Sequence, residues 1–96
     1  MTVYAIAQLR IHDPVRFGSY VAGFMPVLHK YGGQLLATDN RPDAIEGQWE
    51  GDRIVILAFQ DRDAFTTWLN STDYQEIVTH RLAAADTTFL LVQGVA

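Results

Sequence analysis

The chain contains no cysteine. That absence excludes disulfide bonds, thiolate metal ligands and cysteine nucleophiles, and it is consistent with a reducing cytoplasm. No apolar run approaches the roughly 20 residues that a membrane-spanning helix requires. The N-terminal residues, from Met1 to Tyr4, show no basic stretch followed by an apolar one, so no signal peptide is predicted. The sequence therefore predicts a complete cytoplasmic chain with no membrane association.

Positive charge is also scarce, because Lys and Arg number 7 against 11 Asp and Glu, for a net charge of −4. Nucleic acids and anionic membranes are bound by clustered basic faces, so neither is expected as a partner. His12, His29 and His80 are too far apart for ligands at helical or strand spacing. No metal site is predicted, and the absence of haem, flavin and phosphate-loop signatures predicts no cofactor.

The 96 residues form a single predicted domain, 1–96. Alternating or continuous apolar residues predict strands at 2–11, 33–40, 53–59 and 87–95, with a further short extended segment at 44–49. Helix starts are predicted at Asp13-Pro14, Asp61 and Ser71, and Gly32-Gly33 ends the first helix. Pro26 predicts a kink or a short break near Met25. The element order is β-α-β-β-α-β, with the second helical segment divided in two.

This order is typical of the α+β ferredoxin-like fold, a four-stranded antiparallel sheet with its helices on one face. The other face of such a sheet is usually polar, so that apolar and polar residues alternate along each strand. Here the third strand is apolar on both faces, and the fourth places Phe89 and Leu91 on one side and Leu90 and Val92 on the other. A second copy of the sheet is the simplest cover for this face, so a homodimer is predicted.

An ordered set of residues along almost the whole chain carries a family resemblance. It comprises Tyr20, Tyr31-Gly32-Gly33, Glu46-Gly47, Phe59, Ala64, Trp68, Ser71, Tyr74-Gln75, Arg81 and Gly94. The set resembles the domain-of-unknown-function family numbered 1330 (DUF1330), of the dimeric α+β barrel superfamily. The resemblance implies a ferredoxin-like protomer whose sheet packs against that of a second subunit. It implies no particular reaction, because that superfamily includes cofactor-free monooxygenases, lactone isomerases, haem enzymes and proteins with no assigned activity.

Glu46 and Arg81 are the first candidate pair. Glu46 precedes Gly47 on extended chain, and Arg81 lies on the apolar face of the last helix, where a buried charge requires a partner. One interpretation is an anion or carboxylate clamp, with Arg81 as the donor and Glu46 as an orienting group or base. The alternative is a structural ion pair. His29 is the histidine predicted to act if a general base exists.

Five aromatic side chains are candidates for a ligand pocket. Tyr20, Tyr31 and Tyr74 would provide hydroxyl groups, while Trp49 and Trp68 would provide walls. Aromatic residues at helical spacing also build cores, and that alternative is strongest for Trp68. Two functions remain open: a pocket for a small apolar or carboxylate-bearing molecule, as in a cofactor-free enzyme, and a non-catalytic dimeric binding or structural module.

Overall fold

The computed structural model describes residues 1–95 as one layer of sheet covered by one layer of helices. The strands are β1 (Val3–Ile11), β2 (Gln34–Asp39), β3 (Arg53–Phe59) and β4 (Ala85–Gln93), and the helices are α1 (Pro14–Lys30), α2 (Arg62–Asn70) and α3 (Thr72–Ala84). Every pairing in the sheet is antiparallel, in the order β2-β3-β1-β4. This is the ferredoxin-like arrangement predicted from the sequence. None of the helices in this part of the chain could cross a membrane.

Side-chain caps define where the helices begin. The carboxylate of Asp13 accepts from the amide of Arg16, that of Asp61 accepts from Ala64, and the hydroxyl of Ser71 accepts from Tyr74. Each cap satisfies an amide that the first turn leaves without a helical partner. Of the kink or short break predicted near Met25, the short break is absent, since α1 runs without interruption through Pro26.

The strand register sorts the sheet residues onto two faces. Ala5 pairs with Leu57 and Leu91 on the face that the helices cover, whereas its neighbour Ile6 pairs with Ile56 and Leu90 on the opposite face. We call this second face the outer sheet face; its apolar members are Tyr4, Ile6, Ile54, Ile56, Ala58, Leu90 and Val92. Leu90 and Val92 are 52% and 42% exposed in the single chain. Both faces of the sheet are therefore apolar, as predicted.

The long connection between β2 and β3 forms no strand at 44–49, where an extended segment was predicted. Hydrogen bonds fix its far end to β1: the amide of Asp52 donates to the carbonyl of Leu9 at 2.7 Å, and its carboxylate accepts from the amide of Ile11 at 2.6 Å. The backbone carbonyl of Glu50 accepts from Arg10. The connection thus lies across the end of the sheet rather than extending it.

The close approach at Gly33 leads to a stability prediction. A Cβ atom at this position would contact the Leu28 side chain and would lie 2.8 Å from a ring carbon of Phe59, and both side chains are buried. Overpacking of this kind typically costs about 1–3 kcal/mol. We therefore expect Gly33→Ala to lower the free energy of unfolding by about that amount in urea denaturation.

Gly18→Ala is the matched control for this substitution. A Cβ atom at Gly18, within α1, would meet no atom within 4 Å. Alanine is favoured over glycine inside a helix by about 0.5–1 kcal/mol, so this variant should be slightly more stable than the parent. Equal free energies of unfolding for the two variants would contradict the packing described around Gly33.

Candidate functional site

A cavity of about 150 Å³ lies between the covered face of the sheet and the helices. Its walls are mainly apolar and aromatic, and they come from all four strands and all three helices. The lining includes Phe17, Tyr20, Phe24, Trp68, Arg81 and Phe89. Concave sites of this kind, apolar with a few polar groups, are the usual form of small-molecule binding sites.

The cavity has an exposed side and a buried side. Val21 and Leu35, which line it from α1 and β2, are 47% and 37% exposed. Trp68 and Tyr74, which line it from α2 and α3, are almost completely buried. We infer that the cavity opens between α1 and β2 and ends at α2 and α3.

Arg81 contributes a buried positive charge to this cavity. The residue is only 9% exposed, and its guanidinium lies 5.8 Å from the ring centre of Tyr20 and 5.9 Å from that of Phe89. Such cation–π contacts are favourable but do not neutralise a charge. Within residues 1–95, no acidic side chain forms a salt bridge with Arg81, and its guanidinium lies close enough to the Tyr20 hydroxyl to act on the pKa of that group. Arg81 is thus a buried cation without an anionic partner among the described residues.

Two tyrosine hydroxyl groups meet beside Arg81. The hydroxyl oxygens of Tyr20 and Tyr74 are 2.8 Å apart and form a buried hydrogen bond. Burial, and then the proximity of Tyr74, raise the pKa of Tyr20 well above its usual range, and the opposing effect of Arg81 is smaller. Tyr20 is therefore a neutral phenol throughout the physiological pH range, and it is not a base.

Two further polar atoms on the cavity walls have no protein partner. The indole Nε1 of Trp68 and the hydroxyl oxygen of Thr87 are buried, and neither forms a hydrogen bond within the described chain. Buried polar atoms are normally paired, since leaving one unpaired costs about 1–3 kcal/mol. Trp68 and Thr87 thus line the cavity, and each carries a buried polar atom whose hydrogen-bonding capacity the described residues leave unused.

The structure does not bring all the predicted site residues together. Tyr20, Trp68, Tyr74 and Arg81 line the cavity. Glu46 is exposed in the β2–β3 connection and does not line it, so the expected contact between Glu46 and Arg81 is not made. His29 is exposed in the last turn of α1, where the carbonyl end of the helix favours a cation.

Tyr31 and Trp49 occupy positions outside the cavity. The Tyr31 hydroxyl donates to the carboxylate of Asp73 at 3.2 Å, and Lys30 donates to the same carboxylate at 2.5 Å. These contacts join the end of α1 to the start of α3, and the hydrogen bond from Lys30, followed by that from Tyr31, lowers the pKa of Asp73. Trp49 lines a second, polar pocket beside Arg10 and Glu50, which shares Leu9 and Thr87 with the cavity.

Sequence reasoning missed three polar residues of the cavity: Thr38, Arg53 and Thr87. Strand alternation could have found two of them. Arg53 has the same parity as Val55 and Leu57 on β3, and Thr87 has the same parity as Phe89 and Leu91 on β4. Arg53 also lies 5.3 Å from the ring centre of Phe17 and donates to the side chain of Asn40. Thr38 follows a β-bulge between Leu35 and Ala37, which shifts the parity of β2 in a way that no local signal predicts.

Solved structures share this fold over nearly the whole chain. The RPA0582 protein of Rhodopseudomonas palustris, of unknown function, is 18% identical with a TM-score of 0.81, covering 99% of this chain and 83% of its own. SnoaB of Streptomyces nogalater, a cofactor-independent oxygenase, is 16% identical with a TM-score of 0.73, covering 99% and 94%. A dimeric ferredoxin-like protein of unknown function from Thermobifida fusca is 15% identical with a TM-score of 0.67, covering 98% and 92%.

At these identities the similarity shows the fold alone. None of the curated proteins compared with this chain matches it. The family model described as "Domain of unknown function (DUF1330)" matches residues 2–95. The chain therefore belongs to the DUF1330 family.

Proposed function

We propose that the protein is a homodimer in which each subunit binds a small, largely apolar molecule that carries a carboxylate or another acidic oxygen. The observation that carries this proposal is Arg81, a buried cation that faces an apolar cavity without an acidic partner in residues 1–95. A guanidinium is the side chain best suited to bind a carboxylate, because it offers a planar fork of N–H donors. The proposed role of Arg81 is to anchor the acidic group at the buried end of the cavity.

Energetic reasoning supports a ligand over a purely structural role. A buried charge is costly unless hydrogen bonds and an opposite charge compensate it. A structural ion pair would provide that compensation, but the two salt bridges of the described chain, Arg10–Glu50 and Lys30–Asp73, lie elsewhere. A bound anion would provide the compensation instead. Glu46, the alternative partner for Arg81, is exposed in a loop outside the cavity.

The homodimer is supported by the outer sheet face. Its apolar side chains extend over three adjacent strands, as the pairs of Ile6 with Ile56 and with Leu90 show. Within residues 1–95, no helix packs on this face. A second copy of the same face would remove it from water, with the two-fold symmetry usual in homodimers. Dimeric relatives with the same fold, such as the Thermobifida fusca protein, favour this assembly.

A cofactor-free reaction on the bound molecule is the second candidate. Arg81 would favour such a reaction by stabilising negative charge that develops on the substrate. The cavity wall, within the described residues, provides no carboxylate or imidazole that could remove a proton. A substrate of this enzyme would therefore have to arrive already ionised. A non-catalytic binding module needs only the anchoring role.

Native mass spectrometry of gently purified protein tests both parts of the proposal, with Arg81→Met purified in parallel. We expect a dimer mass in both samples and an additional small acid bound only to the parent protein. A monomer at micromolar concentration would contradict the dimer. A bound species retained equally by Arg81→Met would contradict the anchoring role of Arg81.

A further inference from the structure

We propose that the ligand is an aromatic acid with a single ring, bound in its ionised form. This inference rests on the proposed function, and it specifies the size, the ring and the charge state of the molecule. The size follows from the cavity volume of about 150 Å³. An engineered protein cavity of about this volume binds benzene. A single ring therefore fills the site, and a fused second ring would project beyond it.

The walls favour an aromatic ring over an aliphatic chain. Tyr20 lies between Phe17 and Phe24, with ring centres 5.6 and 5.4 Å away. Trp68 continues this aromatic wall at the buried end, 6.3 Å from Phe24 and 6.4 Å from Phe89. Ring pairs at these separations are favourable in edge-to-face and offset arrangements. A flat ligand would make such contacts on several sides.

The polar atoms define what the ring must carry. Within the described residues, Arg81 brings to the cavity a guanidinium without an acidic partner, while Trp68 carries a buried N–H and Thr87 a buried hydroxyl that no protein group pairs. The guanidinium is only a donor, so the ligand must supply acceptor atoms. A carboxylate or phenolate supplies several acceptor lone pairs on one or two oxygens. A neutral amide of the same shape directs N–H groups towards donors and should bind less well.

The charged and titratable groups of the cavity favour the ionised ligand. They are Arg53 and Arg81, both cationic, and the hydroxyl groups of Tyr20 and Tyr74. No acidic or histidine side chain belongs to this lining in the described residues. The two guanidinium groups lower the pKa of a bound acid, because they stabilise its anion, and the pair of tyrosine hydroxyl groups can donate a hydrogen bond to it. The cavity would thus select the ionised form from solution without a base of its own.

Binding can be observed at the indole N–H signals of the two tryptophans in ¹⁵N-labelled dimer. Trp68 lines the cavity and Trp49 does not, so Trp49 is an internal control, and Trp49→Phe assigns the two signals. Benzoate, benzamide, 2-naphthoate and octanoate are titrated at neutral pH. We expect benzoate to shift the Trp68 signal selectively, with benzamide at least ten-fold weaker and with 2-naphthoate and octanoate weaker than benzoate.

The outcomes separate this inference from the proposed function. Tighter binding of octanoate or 2-naphthoate than of benzoate, still at Trp68, would overturn the single-ring assignment and leave the proposed function standing. Failure of all three acids to shift Trp68, or equal binding of benzamide and benzoate, would overturn both.

The charge state has its own test with 4-nitrophenol, whose anion is yellow. Its titration in the presence of saturating protein should show an apparent pKa about one unit below that of the free probe, which corresponds to about ten-fold tighter binding of the anion. The shift should disappear in Arg81→Met. If 4-nitrophenol shifts the Trp68 signal, and so binds, but its pKa is unchanged or raised, the selection of the ionised form is wrong.

Discussion

Replacing Arg81 with methionine is expected to weaken ligand binding strongly while leaving the fold as stable as before or more stable. Arg81 is buried and has no acidic partner within the described residues, so its removal leaves no counter-charge unpaired. Replacing buried ionic groups with apolar side chains of similar volume is often neutral or stabilising by about 1–4 kcal/mol. The lost cation–π contacts with Tyr20 and Phe89 would offset part of that gain.

The effect on binding should be large. Hydrogen bonds to charged groups contribute about 1.5–3 kcal/mol each, so removal of the guanidinium should weaken the binding of an acidic ligand by roughly 10- to 150-fold. Calorimetric titration with benzoate measures this loss, and urea denaturation without ligand measures the stability. A loss of ligand affinity without a loss of unfolding free energy is typical of a residue retained for function at some cost to stability.

Glu46→Gln is the matched control for Arg81→Met. It also removes one charge, but from an exposed loop residue outside the cavity. We expect neither binding nor stability to change beyond the roughly 0.5 kcal/mol typical of surface substitutions. If Arg81→Met instead unfolds the protein at much lower urea concentration, Arg81 stabilises the fold directly. In that case the ligand-anchoring role is wrong.

The local elements could be predicted from the sequence because their signals are local. Asp13, Asp61 and Ser71 each cap a helix through an amide three residues later, so their role depends on the neighbouring chain only. The apolar character of both faces of β3 likewise follows from one strand alone, because its residues from Ile54 to Phe59 are all apolar and successive side chains point to opposite faces. These signals, with the order of elements, were sufficient to predict the ferredoxin-like sheet.

The candidate site could be predicted only in part, since it depends on contacts between distant segments. Arg81 was recognisable because a charge on the apolar face of a helix is unusual wherever that helix packs. Its expected partner Glu46 lies in a long connection, and no local pattern determines where such a loop lies relative to α3. Arg53 and Thr87 were overlooked because single polar residues at strand ends are normally read as surface positions.

The outer sheet face leads to the second large prediction: Ile56→Lys should convert the proposed dimer to a monomer. Ile56 lies on the central strand β3, where it pairs with Ile6 on one side and Ala37 on the other. In a face-to-face dimer this side chain would be buried between two sheets. A lysine there would be an unpaired charge in an apolar interface, which costs about 3–5 kcal/mol. Each dimer contains two such positions.

Sedimentation velocity over a range of protein concentrations measures the change in assembly. The control is Val15→Lys, which introduces the same charge at an apolar residue of α1 that is 87% exposed. This variant should remain dimeric. Thermal unfolding gives a second readout, because the melting temperature of a dimer rises with protein concentration, whereas that of the Ile56→Lys monomer should not. An Ile56→Lys protein that remains dimeric with unchanged affinity would show that the subunits associate through another surface.

The same variant also separates assembly from ligand binding. The described residues that line the cavity lie on the covered face of the sheet or on the helices above it, opposite Ile56. Sites without shared partners act nearly independently. A folded Ile56→Lys monomer should therefore still shift the Trp68 indole signal when benzoate is added. Loss of that shift in a folded monomer would mean that the second subunit supports the cavity, and that dimerisation is part of the binding site.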